Sequence, residues 1–266
     1  MSDGRGSDDG RTVLVTGGSR GIGYELAGQF AADGFDPILV ARDENRLQEA
    51  AATLSERHGV TGYVLPMDLS GPDAGEELYD RVTAAGHTVD ALVNNAGFGT
   101  YERFVDGDLG TDRELLNLHV VTVTTLCKLF GREMVERGHG YILNNASILG
   151  FLPMPTSAVY SAAKHYERAL TEILAEEFAD TGVTVTALCP GPTDTGFMDR
   201  GGLAAAAYER TQLMAPAEVA TAGYEGLMDG RRLVIPGLVN KLRVFARRLL
   251  PRRVVLATLR QAQTGE

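Results

Sequence analysis

Thr16-Gly17-Gly18-Ser19-Arg20-Gly21-Ile22-Gly23 is the stretch of sequence that decides the fold. It follows a short apolar run, residues 12–16, and opens a segment in which apolar residues recur at helical spacing, residues 21–32. Glycines between a strand and a helix permit a tight turn and let a pyrophosphate approach the helix N-terminus. A glycine cluster alone is a weak indication, because ordinary turns are also rich in glycine. Its placement between a strand and a helix favours a dinucleotide-binding loop.

The rest of the chain continues this pattern, because short apolar runs alternate with amphipathic segments. Strands are predicted at residues 12–16, 37–41, 62–65, 89–94, 141–146, 183–189 and 232–235. Helices are predicted at residues 21–32, 44–57, 72–85, 112–136, 157–181 and 216–228. The alternation predicts an α/β protein with a Rossmann-like, doubly wound parallel sheet of about seven strands, flanked by helices. We expect one domain over residues 1–236, with 1–10 disordered, and a basic amphipathic extension over residues 237–266.

Charge is distributed unevenly over the 266 residues, whose formal net charge is −10. The last 36 residues carry nine Lys or Arg and one Glu, which leaves −18 for residues 1–230. Such an acidic body argues against nucleic-acid binding. The two cysteines form no disulfide framework and no secretory leader is apparent. No apolar run reaches the ~20 residues that a membrane span needs. We therefore expect a cytoplasmic protein, and no metal site is predicted.

Tyr160 and Lys164 lie four residues apart on a predicted helix, so both side chains project from one face. A free phenol ionises at roughly pH 10, and a neighbouring cation lowers that value toward the neutral range. The pair is therefore a candidate acid/base that moves a proton to or from an alcohol oxygen. Ser147, 13 residues before Tyr160, could add a hydroxyl to the site. The alternative is a surface tyrosine beside a solvated lysine, since pairs at this spacing are common.

Five motifs, in this order, make residues 11–236 resemble the short-chain dehydrogenase/reductase family in its NADP-preferring type. They are the glycine loop Thr-Gly-x-x-x-Gly-x-Gly, Asn94-Asn95-Ala96-Gly97, Ser147, Tyr160-x-x-x-Lys164 and Pro190-Gly191. Most of them follow predicted strands, and ligands bind at the carboxyl ends of strands in such sheets. The resemblance implies an oxidoreductase that interconverts a ketone or aldehyde and an alcohol by hydride transfer.

The resemblance also implies catalytic roles for individual residues. Tyr160 would be the acid in reduction and the base in oxidation. Lys164 would lower the pKa of Tyr160 and bind the nicotinamide ribose, and Ser147 would hold the substrate oxygen. Asn117 matches the family's fourth catalytic residue, which supports a proton-relay water, although bonding within its own helix is the alternative. His119, two residues further on, faces another direction on a helix and is interpreted as structural.

The same resemblance implies a set of residues around the cofactor. Asp68 would meet the adenine amine, and Asn95 would help to hold the central sheet around the cofactor. The full implied set is Gly17, Ser19, Arg20, Gly21, Ile22, Gly23, Arg42, Asp68, Leu69, Asn95, Ala96, Gly97, Tyr160, Lys164, Pro190, Gly191, Thr193 and Thr195.

The end of the second predicted strand addresses the choice between NADP(H) and NAD(H). An acid there binds a ribose 2′-hydroxyl, whereas arginine accepts a 2′-phosphate. The family's acid would fall at Ala41 and is absent, while Arg42 follows and Arg20 lies in the glycine loop. Asp43 is the counter-candidate at the generic spacing, but we interpret it as a helix N-cap. NADP(H) is therefore predicted to be preferred over NAD(H).

Apolar residues flank several motif positions and predict a hydrophobic ketone or secondary alcohol as the substrate. The candidate substrate-binding residues are Phe98, Leu149, Phe151 and Phe197, with Leu152 and Met198 beside them. Packing in the core is the alternative for any one of them. Two other functions stay open for the whole site. One is a sensor or scaffold that binds NADP without turnover, and the other is a dehydratase or epimerase on the same fold.

The extension at residues 237–266 lies mostly beyond the part that resembles the family. Apolar and basic residues alternate there at roughly helical spacing: Leu238, Lys241, Leu242, Arg243, Phe245, Arg247, Arg248, Leu249 and Leu250. Such a helix can dock on the acidic body or on a second subunit, or it can lie on an anionic membrane surface. We favour docking, expect a homodimer or homotetramer, and keep peripheral membrane contact as the alternative.

Overall fold

The computed structural model describes residues 10–196 and 213–249, together with positions 253 and 256. Its strands are β1 (Thr12–Thr16), β2 (Asp36–Ala41), β3 (Tyr63–Pro66), β4 (Ala91–Asn94), β5 (Gly140–Asn145), β6 (Val183–Leu188) and β7 (Leu233–Val234). Within the described residues, these seven strands form one parallel sheet in the order β3-β2-β1-β4-β5-β6-β7. The order reverses at β1, which confirms the doubly wound, Rossmann-like prediction.

The helices between the strands are α1 (Gly21–Ala32), α2 (Glu44–His58), α3 (Ala74–Ala84), α4 (Leu109–Leu116), α5 (Val123–Arg137), α6 (Ala158–Glu177), α7 (Pro216–Met228) and α8 (Leu238–Leu249). A π-helical segment, Asn117–Thr122, joins α4 to α5, and a short 3-10 helix, Ile148–Gly150, follows β5. Most predicted bounds agree within two residues. Helix α6 ends four residues earlier than predicted, because a turn follows in which Thr181 N donates to Phe178 O at 3.0 Å.

The two faces of the sheet are covered by different helices. Val13 and Val15 of β1 belong to an apolar cluster with residues of α1, α2 and α7, whereas Leu14 belongs to a cluster with residues of α3, α5 and α6. All three side chains are fully buried. Because successive residues of a strand point to opposite faces, a continuous apolar run such as β1 fits a sheet that is covered on both sides.

The single long helix predicted at residues 112–136 is a composite in the structure. It begins at Leu109, because Asp108 Oδ2 accepts a hydrogen bond from Thr111 N at 2.7 Å and caps the helix. The π-helical segment then interrupts it from Asn117 to Thr122. An amphipathic pattern predicts helix but not the register of its hydrogen bonds, and π-helical turns occur frequently at functional sites.

Helix α8 begins the predicted basic extension and packs against the domain through one of its faces. Asn240 and Val244 are buried on that face, and Asn240 Nδ2 donates to Pro236 O at 2.9 Å. Leu238, Leu242 and Phe245 are exposed on the remaining surface of the helix. Residues 1–9 and most of residues 250–266 lie outside the described residues. The first range is nearly all of the segment that was predicted to be disordered, and the second is the end of the predicted extension. Among the helices described, none is long and apolar enough to cross a bilayer.

Candidate functional site

A cleft of about 620 Å³ runs along the carboxyl ends of β1, β2, β4, β5 and β6, where the predicted motifs lie. Most of the predicted site residues line this cleft: Gly17, Ser19, Arg20, Ile22, Arg42, Asp68, Leu69, Asn95, Ala96, Gly97, Phe98, Ser147, Leu149, Leu152, Tyr160, Lys164, Pro190, Gly191, Thr193 and Thr195. The parallel sheet thus brings together residues that are up to 178 positions apart in the sequence, from Gly17 to Thr195.

Four predicted residues do not line the cleft. Gly21 and Gly23 support the glycine loop from within, and Asn117 donates through Nδ2 to Ser70 O at 3.0 Å. Phe151 corrects the substrate prediction, because its ring is buried in the core with the Arg168 guanidinium 4.6 Å from its centroid. The predicted substrate residues Phe197 and Met198 lie outside the described residues.

The glycine loop packs tightly against the segment that follows β4, the strand paired with β1. Gly17 has φ +68°, which favours glycine, and Asn95 Nδ2 donates to Thr16 O at 3.0 Å and to Gly17 O at 3.2 Å. A Cβ on Gly23 would lie 2.3 Å from both Gly17 O and Asn95 Nδ2. Arg20 gives no side-chain cap to α1, so the first N–H groups of the helix remain for an anion. This cradle fits the pyrophosphate of a dinucleotide.

The end of β2 provides a cationic group beside the glycine loop. Arg42 Nη1 lies 3.7 Å from Asp68 Oδ2, and both side chains are more than half exposed. Partial burial opposes ionisation of Asp68, but hydrogen bonds from Ser70 and the charge of Arg42 hold its pKa below the ordinary value. Asp43 is the N-cap of α2 and accepts from Arg46 N at 3.2 Å, which confirms the capping interpretation.

Tyr160 and Ser147 meet in the middle of the cleft. Ser147 follows β5 and accepts a hydrogen bond from Leu149 N at 3.1 Å, and Tyr160 bonds to the Ser147 side chain. Burial raises the pKa of Tyr160 well above its ordinary value. Tyr101 and then the charge of Glu167 add to that effect, whereas the hydrogen bond with Ser147 opposes it. The pKa of Tyr160 thus lies above the ordinary value and not nearer to neutrality, because the phenolate loses its hydration in the interior. That Lys164 lowers this pKa stays a prediction.

Lys164 lies one helical turn beyond Tyr160 and is buried. Its Nζ donates to Asn145 O at 2.8 Å and to Glu167 Oε2 at 2.7 Å, and it lies 5.6 Å from the centroid of the Tyr160 ring. The surface alternative for the Tyr160–Lys164 pair is therefore excluded, since both side chains are buried and line one cleft.

His119 lies in the π-helical segment and is fully buried, in keeping with a structural residue. Its Nδ1 lies 2.7 Å from Glu167 Oε1 and its Nε2 lies 2.9 Å from Phe98 O. Its ring and the ring of Tyr160 form a T-shaped pair, with the two centroids 5.5 Å apart. His119 thus contacts the same carboxylate as Lys164, a link that the sequence interpretation did not foresee.

Several residues of the cleft were missed in the sequence. Among them are Arg46, Ser70, Tyr101, Glu114, Leu118, Met154 and Arg243. Arg46 lies in the first turn of α2, four residues after Arg42, a signal that could have been used. Arg243 reaches the cleft only through the packing of α8. No group of three or more His, Cys, Asp or Glu side chains arranged to hold a metal ion occurs within the described residues.

Comparison with known sequences agrees with the geometry. The family model described as short chain dehydrogenase matches residues 11–202. The probable oxidoreductase EphD of Mycobacterium tuberculosis is 33% identical over 191 residues, which are 71% of this chain and 32% of that protein. The very-long-chain 3-oxoacyl-CoA reductase of Bos taurus is 33% identical over 187 residues, 68% of this chain and 59% of that protein. The chain thus matches less than two thirds of the length of these relatives.

Solved structures share the whole fold. A short-chain dehydrogenase from Sphingobium yanoikuyae in complex with NADPH has a TM-score of 0.81 and 31% identity, covering 89% of this chain and 91% of that one. A short-chain dehydrogenase/reductase from Burkholderia phymatum in complex with NAD has a TM-score of 0.79 and 25% identity, covering 89% and 92%. The cleft, its motifs and these matches agree: the chain belongs to the short-chain dehydrogenase family.

Proposed function

We propose that this protein is an NADP(H)-dependent carbonyl reductase or alcohol dehydrogenase that acts on a hydrophobic ketone or secondary alcohol. The observation that carries this proposal is the meeting of Ser147, Tyr160 and Lys164 in one cleft. A phenol hydrogen-bonded to a serine hydroxyl beside a buried ammonium is a proton donor with a fixed position. A protein that only bound the nucleotide would need no such group.

The chain's own residues position and protonate the substrate oxygen. Ser147 donates a hydrogen bond to the carbonyl oxygen, and Tyr160 donates the proton that converts it to a hydroxyl. In the reverse direction the phenolate of Tyr160 accepts the hydroxyl proton. Lys164 holds the ribose of the bound cofactor, and a backbone cradle at Gly17 holds its pyrophosphate. The nicotinamide, when bound, supplies or accepts the hydride.

The cofactor preference rests on the end of β2. Arg42 and Arg20 line the cleft, and Arg46 lines it from the first turn of α2. Ala41 offers no carboxylate to a ribose 2′-hydroxyl. Guanidinium groups bind phosphate oxygens through charge-assisted hydrogen bonds. We therefore propose that NADP(H) is preferred over NAD(H), in line with the NADPH complex of the Sphingobium relative.

The substrate class rests on the apolar lining of the cleft. Phe98, Leu149, Leu152, Met154 and Leu118 all contribute to it. Burial of such surfaces favours a substrate with a large apolar body. A panel of carbonyl compounds assayed with NADPH tests this proposal, and a preference for small charged ketones would contradict it.

The reaction itself is tested by following NADPH absorbance with α-tetralone, a bulky apolar ketone. We expect oxidation of NADPH that disappears in Tyr160→Phe while NADPH binding, measured by fluorescence, is retained. Binding of NADPH without turnover of any carbonyl compound would favour the sensor or scaffold. Loss of water or inversion of a stereocentre without net NADPH oxidation would favour the dehydratase or epimerase.

The remaining proposals concern the setting of the enzyme. We propose a cytoplasmic homodimer or homotetramer whose ligands are small molecules and not nucleic acids. Light scattering of the purified chain measures its mass, and a monomer at micromolar concentration would contradict the oligomer.

A further inference from the structure

Glu167 is a buried carboxylate to which the proposed reaction assigns no role. Its side chain is 3% exposed. Oε2 accepts from Lys164 Nζ at 2.7 Å and Oε1 lies 2.7 Å from His119 Nδ1, so each carboxylate oxygen has a partner. A carboxylate in a protein interior is costly unless a charge and hydrogen bonds replace its hydration. Here Lys164 supplies the charge, and Lys164 and His119 supply the hydrogen bonds.

The spacing of the cluster places it on the reactive face of α6. Tyr160, Lys164 and Glu167 occupy positions i, i+4 and i+7, which share one face of a helix. An ammonium has three N–H donors. Glu167 and Asn145 O take two of the donors of Lys164, at 2.7 and 2.8 Å, which leaves one for a group bound in the cleft. The carboxylate therefore fixes where that third donor points.

His119 fixes Glu167 in turn. Its ring is confined by the chain after β4, since a Cβ on Gly97 would lie 2.6 Å from His119 Cε1. Burial and the charge of Lys164 lower the pKa of His119, so its imidazole is neutral at pH 7. The ring proton then lies on Nδ1 and is donated to the carboxylate, the stronger acceptor. Nε2 lies 2.9 Å from Phe98 O and would donate to it only in the charged imidazolium form.

Several ionisable groups lie near the phenol of Tyr160. Lys164 is opposed by Glu167, whose own pKa burial would raise but Lys164 and His119 hold low. Cys127, which faces Glu167 from α5, is neutral because burial raises its pKa to about 12. Tyr101 faces the phenol from the loop after β4. Glu114 of α4 and Arg243 of α8 also line the cleft, where both are exposed to solvent. Among the described residues, the buried pair behind Tyr160 is one cation and one anion, which together give little net charge to favour a phenolate.

We propose that Glu167 is a positioning residue that holds Lys164 in place and, by balancing its charge, keeps Tyr160 protonated and ready to act as the acid in carbonyl reduction. The inference rests on the proposed function, since it concerns the protonation state of the acid/base in the same site. The raised pKa of Tyr160, to which Glu167 contributes, agrees with it.

Glu167→Gln tests the charge while it keeps the shape of the side chain. For oxidation of 1-tetralol with NADP⁺, we expect the acid limb of the kcat/KM profile to move down by about one pH unit, because the phenolate forms more readily without the opposing carboxylate. Glu172→Gln is the matched control, since Glu172 pairs with Arg168 on the same helix at 2.7 Å and lies outside the cleft. An acid limb that stays in place, or moves up, in Glu167→Gln overturns the proposal.

A second measurement separates this inference from the reaction class. NADPH affinity, followed by fluorescence, needs no turnover. We expect Glu167→Gln to weaken it about tenfold, because a neutral amide holds the Lys164 ammonium less firmly than a carboxylate does. Absence of turnover by the unaltered protein with every compound of the carbonyl panel would sink the proposed function, while the binding result would still decide the role of Glu167. Wild-type affinity in Glu167→Gln would overturn that role.

Glu167→Asp covers the case in which the glutamine variant does not fold. It keeps the charge and shortens the reach, so kcat is expected to fall about tenfold while the acid limb stays in place. A kcat equal to that of the unaltered protein would overturn the positioning role.

Discussion

The guanidinium of Arg42 lies 3.7 Å from the carboxylate of Asp68, at the point where the chain leaves β2 and β3. Both side chains are more than half exposed, and an exposed ion pair contributes only about 0–1 kcal/mol. A phosphate can therefore compete for Arg42 at little cost. The same contact keeps Arg42 at the rim of the cleft. The guanidinium is therefore already close to the proposed position of the 2′-phosphate of NADP(H).

Arg42→Ala is expected to raise the KM for NADPH by about tenfold or more and the KM for NADH by less than about twofold, because only NADPH carries the 2′-phosphate. Steady-state kinetics with both cofactors measure the difference. Arg57→Ala, near the far end of α2, serves as the control and should leave both values unchanged. Equal effects on the two cofactors in Arg42→Ala would remove the basis for an NADP preference.

The pH dependence of the two directions follows from the raised pKa of Tyr160. Reduction uses the protonated phenol, so its kcat/KM should stay level through the neutral range and decline only at alkaline pH. Oxidation uses the phenolate, so its kcat/KM should rise with pH over the same range. Profiles measured between about pH 6 and pH 10 in both directions give the comparison. A rate of reduction that already falls between neutrality and pH 8 would contradict a protonated Tyr160.

Gly23→Ala is expected to destabilise the protein and to abolish cofactor binding. Its Cβ would lie 2.3 Å from Gly17 O, a contact that forces the glycine loop to move. We expect a loss of about 2–4 kcal/mol in the free energy of unfolding, measured in urea, as for an overpacked core site. Gly28→Ala is the control on the same helix, where the nearest atom is 3.7 Å away. That change should stabilise α1 by up to about 1 kcal/mol.

The sequence predicts best those site residues that directly follow a strand. The location of Ser147 and Pro190 in the cleft follows from the ends of β5 and β6, because a parallel sheet brings all its carboxyl ends to one edge. Their roles come from the family resemblance. Phe151 was misassigned, since whether a side chain near the cleft lines it or packs behind it depends on the turn of the short 3-10 helix. Periodicity carries no information on such a turn.

Residues that act through tertiary contacts were harder to predict. Glu167 was overlooked although it falls on the face of Tyr160 and Lys164, because a charged residue on a helix is normally solvated. His119 was correctly interpreted as structural. Its partner could not be inferred, because the π-helical segment that orients the ring leaves no mark in the amphipathic pattern.

The docking of α8 gives the last prediction. Val244 is buried in a cluster with residues after β5 and β6, whereas Leu242 of the same helix is exposed. Val244→Ala should therefore lower the free energy of unfolding by about 1–3 kcal/mol, and Leu242→Ala should change it by less than about 0.5 kcal/mol.

Flotation with anionic liposomes tests the membrane alternative, in which the exposed apolar residues of α8 enter the lipid. If α8 serves mainly to close the domain, the full chain stays with the soluble fraction. Flotation of the full chain, but not of residues 1–236, would instead support a membrane role for the exposed face.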